Sequence, residues 1–212
     1  MDTLQIINDS KIIAIARGIY GSDLILASRA LYDGGIRAIE VTFEQDKPLD
    51  VTAKAIAELR FALPGDCALG AGTVMNTEQV RAAHGAGASF IISPNTSRDV
   101  IAATKELSMV SIPGAMTPTE IAFAWSCGAD IIKLFPAGNL GLEYFKAVKA
   151  PFRHIPIAGV AGITTDNIRS FCDAGAVAFG ISSGLFKKDR IADRDFDSLK
   201  SAAERYIRLL SD

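Results

Sequence analysis

The sequence predicts an α/β protein folded as a single (β/α)₈ (TIM) barrel over residues 1–212, with a short helix ahead of the first strand. Three observations predict it. Eight short apolar, β-rich runs alternate with helix-like stretches from one end of the chain to the other. The runs are almost continuously apolar, as expected of a parallel sheet covered on both faces. One join recurs directly before strands, as Gly34-Gly35, Gly87-Ala88, Gly128-Ala129 and Gly175-Ala176, where small residues stop a helix and let the chain turn closely into the sheet. Eight βα units in 212 residues suit the small end of the barrel's size range, whereas a doubly wound sheet usually has fewer strands. No linker or low-complexity stretch marks a second domain.

In chain order, the first run is KIIAIA (11–16), followed by a helix opened by Ser22 with Leu24, Ala27 and Leu31 at helical spacing. RAIEVTF (37–43) and CALGAG (67–72) come next, then a helix opened by Thr77 and carrying Val80 and Ala83. SFIISP (89–94) and MVSIPG (109–114) are the fourth and fifth runs. Thr117-Pro118-Thr119-Glu120 then reads as an N-cap with proline at the first helical position and an acidic residue at the third. DIIKLF (130–135) leads to a helix with Phe145 and Val148, HIPIAG (154–159) to one opened by Thr164, and AVAFGI (176–181) to a final helix over roughly 195–210.

With 49% hydrophobic and 22% charged residues and a net charge of -2, the chain has no electrostatic footprint for nucleic acid or an anionic membrane. The basic run Lys187, Lys188, Arg190 is followed by Asp193 and Asp195 and reads as a solvated face. The longest apolar stretches are strand-sized, and the N-terminus lacks the layout of a signal peptide, so the expected location is cytoplasmic. Cys67, Cys127 and Cys172 are odd in number and scattered, which suits buried thiols better than disulfides or metal ligands. No metal site is expected.

In this fold the reactive groups sit at the C-terminal ends of strands, so polar residues interrupting the apolar runs there are informative. Period-two alternation in Asp130–Pro136 puts Ile132 and Leu134 on one face and Lys133 and Phe135 on the other. With the isoleucine and leucine against the helices, Lys133 faces the lumen, where desolvation lowers its pKa toward that of an attacking amine. Glu40 and Thr42 face inward by the same alternation, so Lys133 and Glu40 share one lumen. An amine nucleophile with a carboxylate to move protons meets the need of Schiff-base chemistry, yet a structural Lys-Glu pair uses the same two residues. Thr73 can meet a substrate oxygen or cap a helix. Arg17, ending the first strand, can clamp a carboxylate or form a rim ion pair. Loops after strands 7 and 8 often bind phosphate. Here they hold Gly162, Ser182 and Ser183, although glycine-rich turns also serve packing alone. His84 and His154 fall away from the mouth.

IEVTF around Glu40, GAGTV at 70–74, ISPN at 92–95, IPGAMTPTE at 112–120, IKLFPA around Lys133 and EYFKAVKAPF at 143–152 are together specific. By them the chain resembles the 2-keto-3-deoxy-6-phosphogluconate aldolase / 4-hydroxy-2-oxoglutarate aldolase family over almost its whole length. The resemblance implies a class I aldolase releasing pyruvate, with Lys133 forming the imine and Glu40 moving protons. It implies that Thr73 and Pro94 line the pyruvyl pocket, that Phe135 packs beside it, and that the enzyme is a homotrimer needing no cofactor. The other product would be glyceraldehyde 3-phosphate from the phosphorylated substrate, or glyoxylate from 4-hydroxy-2-oxoglutarate. Three departures stand out. Glu44 occupies the place where some members carry a carboxylate-binding arginine and would repel the substrate, a role that Arg17 can take over. Ala161-Gly162 replaces Gly-Gly, and Ser182-Ser183 replaces Gly-Ser. From the residues alone, a phosphosugar isomerase or epimerase using Glu40 as base, and a non-enzymatic ligand-binding barrel, remain alternatives.

Overall fold

The structure, a computed structural model, describes residues 2–211. It begins with α1 (Thr3–Ser10) and β1 (Ile12–Ala16), then α2 (Gly21–Asp33), β2 (Ala38–Thr42), α3 (Leu49–Ala62), β3 (Ala68–Gly72) and α4 (Thr77–Gly85). The middle contains β4 (Phe90–Ile92), α5 (Arg98–Glu106), β5 (Val110–Ile112), β6 (Gly114–Ala115), α6 (Pro118–Ser126) and β7 (Ile132–Leu134). It continues through α7 (Ala137–Leu140), α8 (Leu142–Lys149), β8 (Ile157–Val160), α9 (Ile168–Asp173) and β9 (Ala178–Ile181), and ends in α10 (Lys188–Ala192) and α11 (Phe196–Leu210).

All eight expected runs form strands. The fifth is split into β5 and β6 at Pro113, which has no N–H to give to a ladder. The nine segments pair in parallel in the order β5-β4-β3-β2-β1-β9-β8-β7-β6. The seam between β5 and β7 is joined by backbone bonds from Asp130 N–H to Ser111 O (3.0 Å) and from Lys133 N–H to Pro113 O (2.9 Å), giving the (β/α)₈ barrel.

Two apolar layers follow from the strand alternation. Ile39, Val41, Ile132 and Leu134 pack outward against the helices, while Ile13, Phe90, Ile92, Val110, Ile112 and Ile131 fill the lumen. Ile6 and Ile7 of α1 belong to this inner cluster and close the barrel's lower end. The Phe90 ring occupies the room that Gly70 leaves, since a Cβ at Gly70 would lie 2.3 Å from it. The lower lumen is therefore a packed core, and polar chemistry is confined to the upper end.

The helix starts differ in part from expectation. Thr117 caps α6 in a full capping box, its Oγ1 accepting from Glu120 N–H (3.3 Å) and Glu120 Oε2 accepting from Thr117 N–H (2.7 Å). Ser22 lies inside α2, which begins at Gly21, and Thr77 is the first residue of α4, whose cap is Asn76. Thr164 opens only a turn, and α9 begins at Ile168. A serine or threonine side chain can bond to the backbone in a turn as well as at a cap, so residue type alone does not fix these starts. Gly35, Gly87, Gly128 and Gly175 all have φ between 92° and 100°, which explains glycine at each join.

Candidate active site

Lys133 and Glu40 both face the upper lumen. Lys133, the middle residue of β7, is 6% exposed, and its Nζ lies 5.0 Å from the centroid of the Phe135 ring. Burial pushes its ammonium below the ordinary 10.5; Glu40 works against that effect, and the Arg17 cation adds to it. Glu40, on β2, is 1% exposed. Burial raises its carboxyl from 4.5 to about 7, against the pull of Lys133 and Arg17. Its Oε2 has no hydrogen-bond partner. Its other side nests over Gly72, where a Cβ would fall 1.9 Å from Oε1.

The pair is not a closed salt bridge. Among the described residues neither Lys133 nor Glu40 belongs to an ion pair within 4.0 Å. Burial pushes both groups toward their neutral forms, and neither is held in a fixed ion pair, which suits them to pass protons to and from a bound substrate.

These two side chains open onto a cavity of about 560 Å³. Arg17, Thr73, Pro94 and Phe135 line it beside them, and Gly162, Ser182 and Ser183 line it from the loops after β8 and β9. Every site residue expected from the sequence is thus brought to one cavity at the C-terminal ends of the strands. Ile15, Val160, Ile163 and Ile181 also line it. They went unnoticed because an apolar residue in an apolar run carries no signal of its own. Glu44 is absent from the lining. It pairs with Lys47, which holds its carboxyl below the usual range, so the repulsion expected of it is largely neutralised.

Arg17 and Thr73 meet at the cavity mouth, Arg17 Nη2 donating to Thr73 Oγ1 at 3.1 Å. Thr73 is therefore no helix cap, and the bond found for Arg17 is to a hydroxyl. Thr73 has φ 56°, a left-handed conformation that is costly for a β-branched residue and persists only where its surroundings enforce it. A relay of amides does so here. Gln45 Nε2 donates to Thr73 O (2.9 Å), Gln79 Nε2 donates to Gln45 Oε1 (3.0 Å), and Gln79 Oε1 accepts from Met75 N–H (2.6 Å). Neither glutamine was anticipated, because their partners lie 28 and 34 residues away in the chain.

The opposite wall is backbone-rich. Ala161 and Gly162 have φ 68° and 70°. Their carbonyls accept from Gly138 N–H (2.8 Å) and Asn167 Nδ2 (2.9 Å), which fixes the turn. Ser182 Oγ donates to Ile15 O (3.2 Å), so its proton is engaged and Ser183 is left as the hydroxyl donor on this wall. His84 lies on α4, and His154 packs edge-on against Trp125 at 6.3 Å. Among the described residues no group of three or more His, Cys, Asp or Glu is placed to hold a metal ion. No helix there is long and apolar enough to cross a membrane.

The family model described as "Aldolase: KDPG and KHG aldolase" matches residues 4–202. The chain belongs to the KDPG and KHG aldolase family. This aldolase is 33% identical over 202 residues to the 2-dehydro-3-deoxy-6-phosphogalactonate aldolase of Escherichia coli (strain K12), covering 92% of this chain and 94% of the relative. It is 32% identical over 189 residues to the 2-dehydro-3-deoxy-phosphogluconate aldolase of Treponema pallidum (strain Nichols), covering 89% and 88%. The aldolase also superposes on the KDPG aldolase of Legionella pneumophila with pyruvate captured as a covalent carbinolamine. That match has TM-score 0.85 and 26% identity, covering 96% of this chain and 97% of the other.

Proposed function

We propose that this aldolase cleaves 2-keto-3-deoxy-6-phosphogluconate, or a close 4-hydroxy-2-keto acid such as 4-hydroxy-2-oxoglutarate, through a Schiff base on Lys133. The observation that carries the reading is a desolvated lysine and a carboxyl titrating near 7, side by side without a closed ion pair, in one cavity. An isomerase or a binding barrel would leave unexplained why burial drives the amine toward its nucleophilic form.

In the proposed sequence the neutral amine of Lys133 attacks the C2 carbonyl, and the carbinolamine loses water to give the protonated imine. Glu40 moves the protons in these steps. Glu40 then takes the C4 hydroxyl proton, directly or through water, as the C3–C4 bond breaks and the electron pair of that bond passes into the iminium as an enamine. Protonation at C3 and hydrolysis then free pyruvate and regenerate the amine; the other product is glyceraldehyde 3-phosphate or glyoxylate. Arg17 holds the substrate carboxylate, Thr73 and Pro94 bound the pyruvyl end, and Phe135 packs on it. Backbone at Gly162 with Ser182, and the Ser183 hydroxyl, receive a terminal phosphate. No metal or organic cofactor is needed for these steps.

Incubation with pyruvate and borohydride followed by peptide mass spectrometry tests the chemistry. A reduced adduct on Lys133 is expected, and absence of an adduct on every lysine would overturn it. Kinetics on a panel of 4-hydroxy-2-keto acids, with and without phosphate and with both C4 configurations, ranks the substrates. Further parts of the proposal are one aldolase domain over 1–212, a homotrimer and a cytoplasmic location. Light scattering on the purified protein tests the trimer.

A further inference from the structure

Behind the loop that follows β9 lies a second cavity, of about 290 Å³, outside the site described above. Lys187, Arg190 and Arg205 bring three cations to it, and Ser201 and Tyr206 bring hydroxyls. The spacing of Ser198, Ser201 and Arg205 sets them on one face of α11, while Lys187 stands at the cap of α10.

The charge balance favours an anion. Arg190 is shared with Asp195 at 3.0 Å and Asp189 at 3.9 Å, and Ser198 Oγ donates to Asp195 at 2.6 Å. Lys187 and Arg205 are in no ion pair among the described residues. The carboxylate whose field reaches Tyr206 is Asp166, opposed by Arg205, and Asp166 also accepts from Thr165 Oγ1 at 3.4 Å.

Tyr206 adds a hydroxyl to the three cations. Its side chain is buried, at 5% exposed, yet it lines this cavity, and its hydroxyl makes no hydrogen bond among the described residues. The ring is packed into the core while the hydroxyl opens onto the cavity, where it can donate to a bound anion. The same hydroxyl lies against Gly184, where a Cβ would come within 2.5 Å of it, and Gly184 also lines the catalytic cavity. The two cavities are separated by the backbone of one loop.

We infer that this cavity is a second anion site, for a small phosphate-bearing dianion held by Lys187, Arg205 and the Tyr206 hydroxyl. Arginine's fork suits the terminal oxygens of a phosphate, and the volume suits inorganic phosphate or a three-carbon phosphate ester better than a nucleotide.

Calorimetry of the intact protein with inorganic phosphate and with glycerol 3-phosphate, at low salt, tests this. Both ligands are expected to bind the wild type with a Kd below about 10 mM. Arg205→Gln should weaken that binding at least tenfold and Tyr206→Phe, which keeps the packing, severalfold, with cleavage kinetics unchanged in the Arg205 variant. Wild-type binding weaker than this limit, or binding unaltered in both variants, would overturn the proposal. Phosphate held instead in the catalytic cavity responds to Ser183→Ala and not to Arg205→Gln. Failure of that separate reading is therefore visible on its own.

Discussion

Replacing Glu40 with glutamine preserves the side chain's shape and removes its titration, which makes the burial of this carboxyl measurable. In the folded protein its pKa is raised from 4.5 to about 7, chiefly by desolvation. Between those values the folded chain holds a proton that the unfolded chain has lost. Stability therefore falls as pH rises through this window and levels off above about pH 7. At about 1.4 kcal/mol per pH unit the full loss is roughly 3 kcal/mol, most of it between about pH 5 and pH 8. Lys133, held below its usual value, contributes with the opposite sign; losing the Glu40 charge lowers it further, which adds to the variant's relative gain rather than offsetting it. Glu40→Gln should therefore gain roughly 2 to 3 kcal/mol over wild type on going from about pH 5 to pH 8, while cleavage falls by about 10²- to 10⁴-fold. Urea unfolding followed by Trp125 fluorescence at a series of pH values measures the stability term. A difference between variant and wild type that stays constant with pH would refute the reasoning, since the carboxyl would then ionise equally easily folded and unfolded.

Lys133→Met should abolish cleavage of every substrate and all borohydride trapping, read by turnover and intact mass; residual trapping at another lysine would assign the nucleophile elsewhere. Gly72→Ala places a methyl on Glu40 Oε1, so kcat should fall at least about tenfold while circular dichroism reports an unchanged fold. Gln45→Ala releases Thr73 from its left-handed turn and loosens Arg17. The expected readout is a KM for the keto acid raised by about tenfold with kcat within about twofold, and equal loss in kcat would place the relay in the chemistry instead. Ser183→Ala should raise KM for phosphorylated substrates and leave 4-hydroxy-2-oxoglutarate cleavage unaffected, as paired steady-state assays would record.

Strand alternation was enough to place Lys133 and Glu40 in one lumen, because a charged residue inside an apolar run has few tolerable orientations. The final helix and the Thr117 capping box were legible for a similar reason: each is written within a few adjacent residues. What escaped depends on contacts between distant segments. Nothing near Thr73 announces φ 56°, and its β-branched side chain argues against it; the turn exists because Gln45 and Gln79 reach across from β2's loop and α4. The Ser182 hydroxyl looks as available as that of Ser183 until Ile15 O is found beside it. Glu44 looks repulsive until Lys47 is seen to face it. Pro113 was visible in the fifth run, yet the backbone break it causes shows only once neighbouring strands supply the ladder.

The fit of the Glu40 carboxylate over Gly72 makes two positions on neighbouring strands one steric unit. A lineage that acquired any side chain at 72 would have to move the acid before it could keep the chemistry. Anyone transplanting this lysine and glutamate into another barrel must carry across a hydrogen atom on the next strand as well.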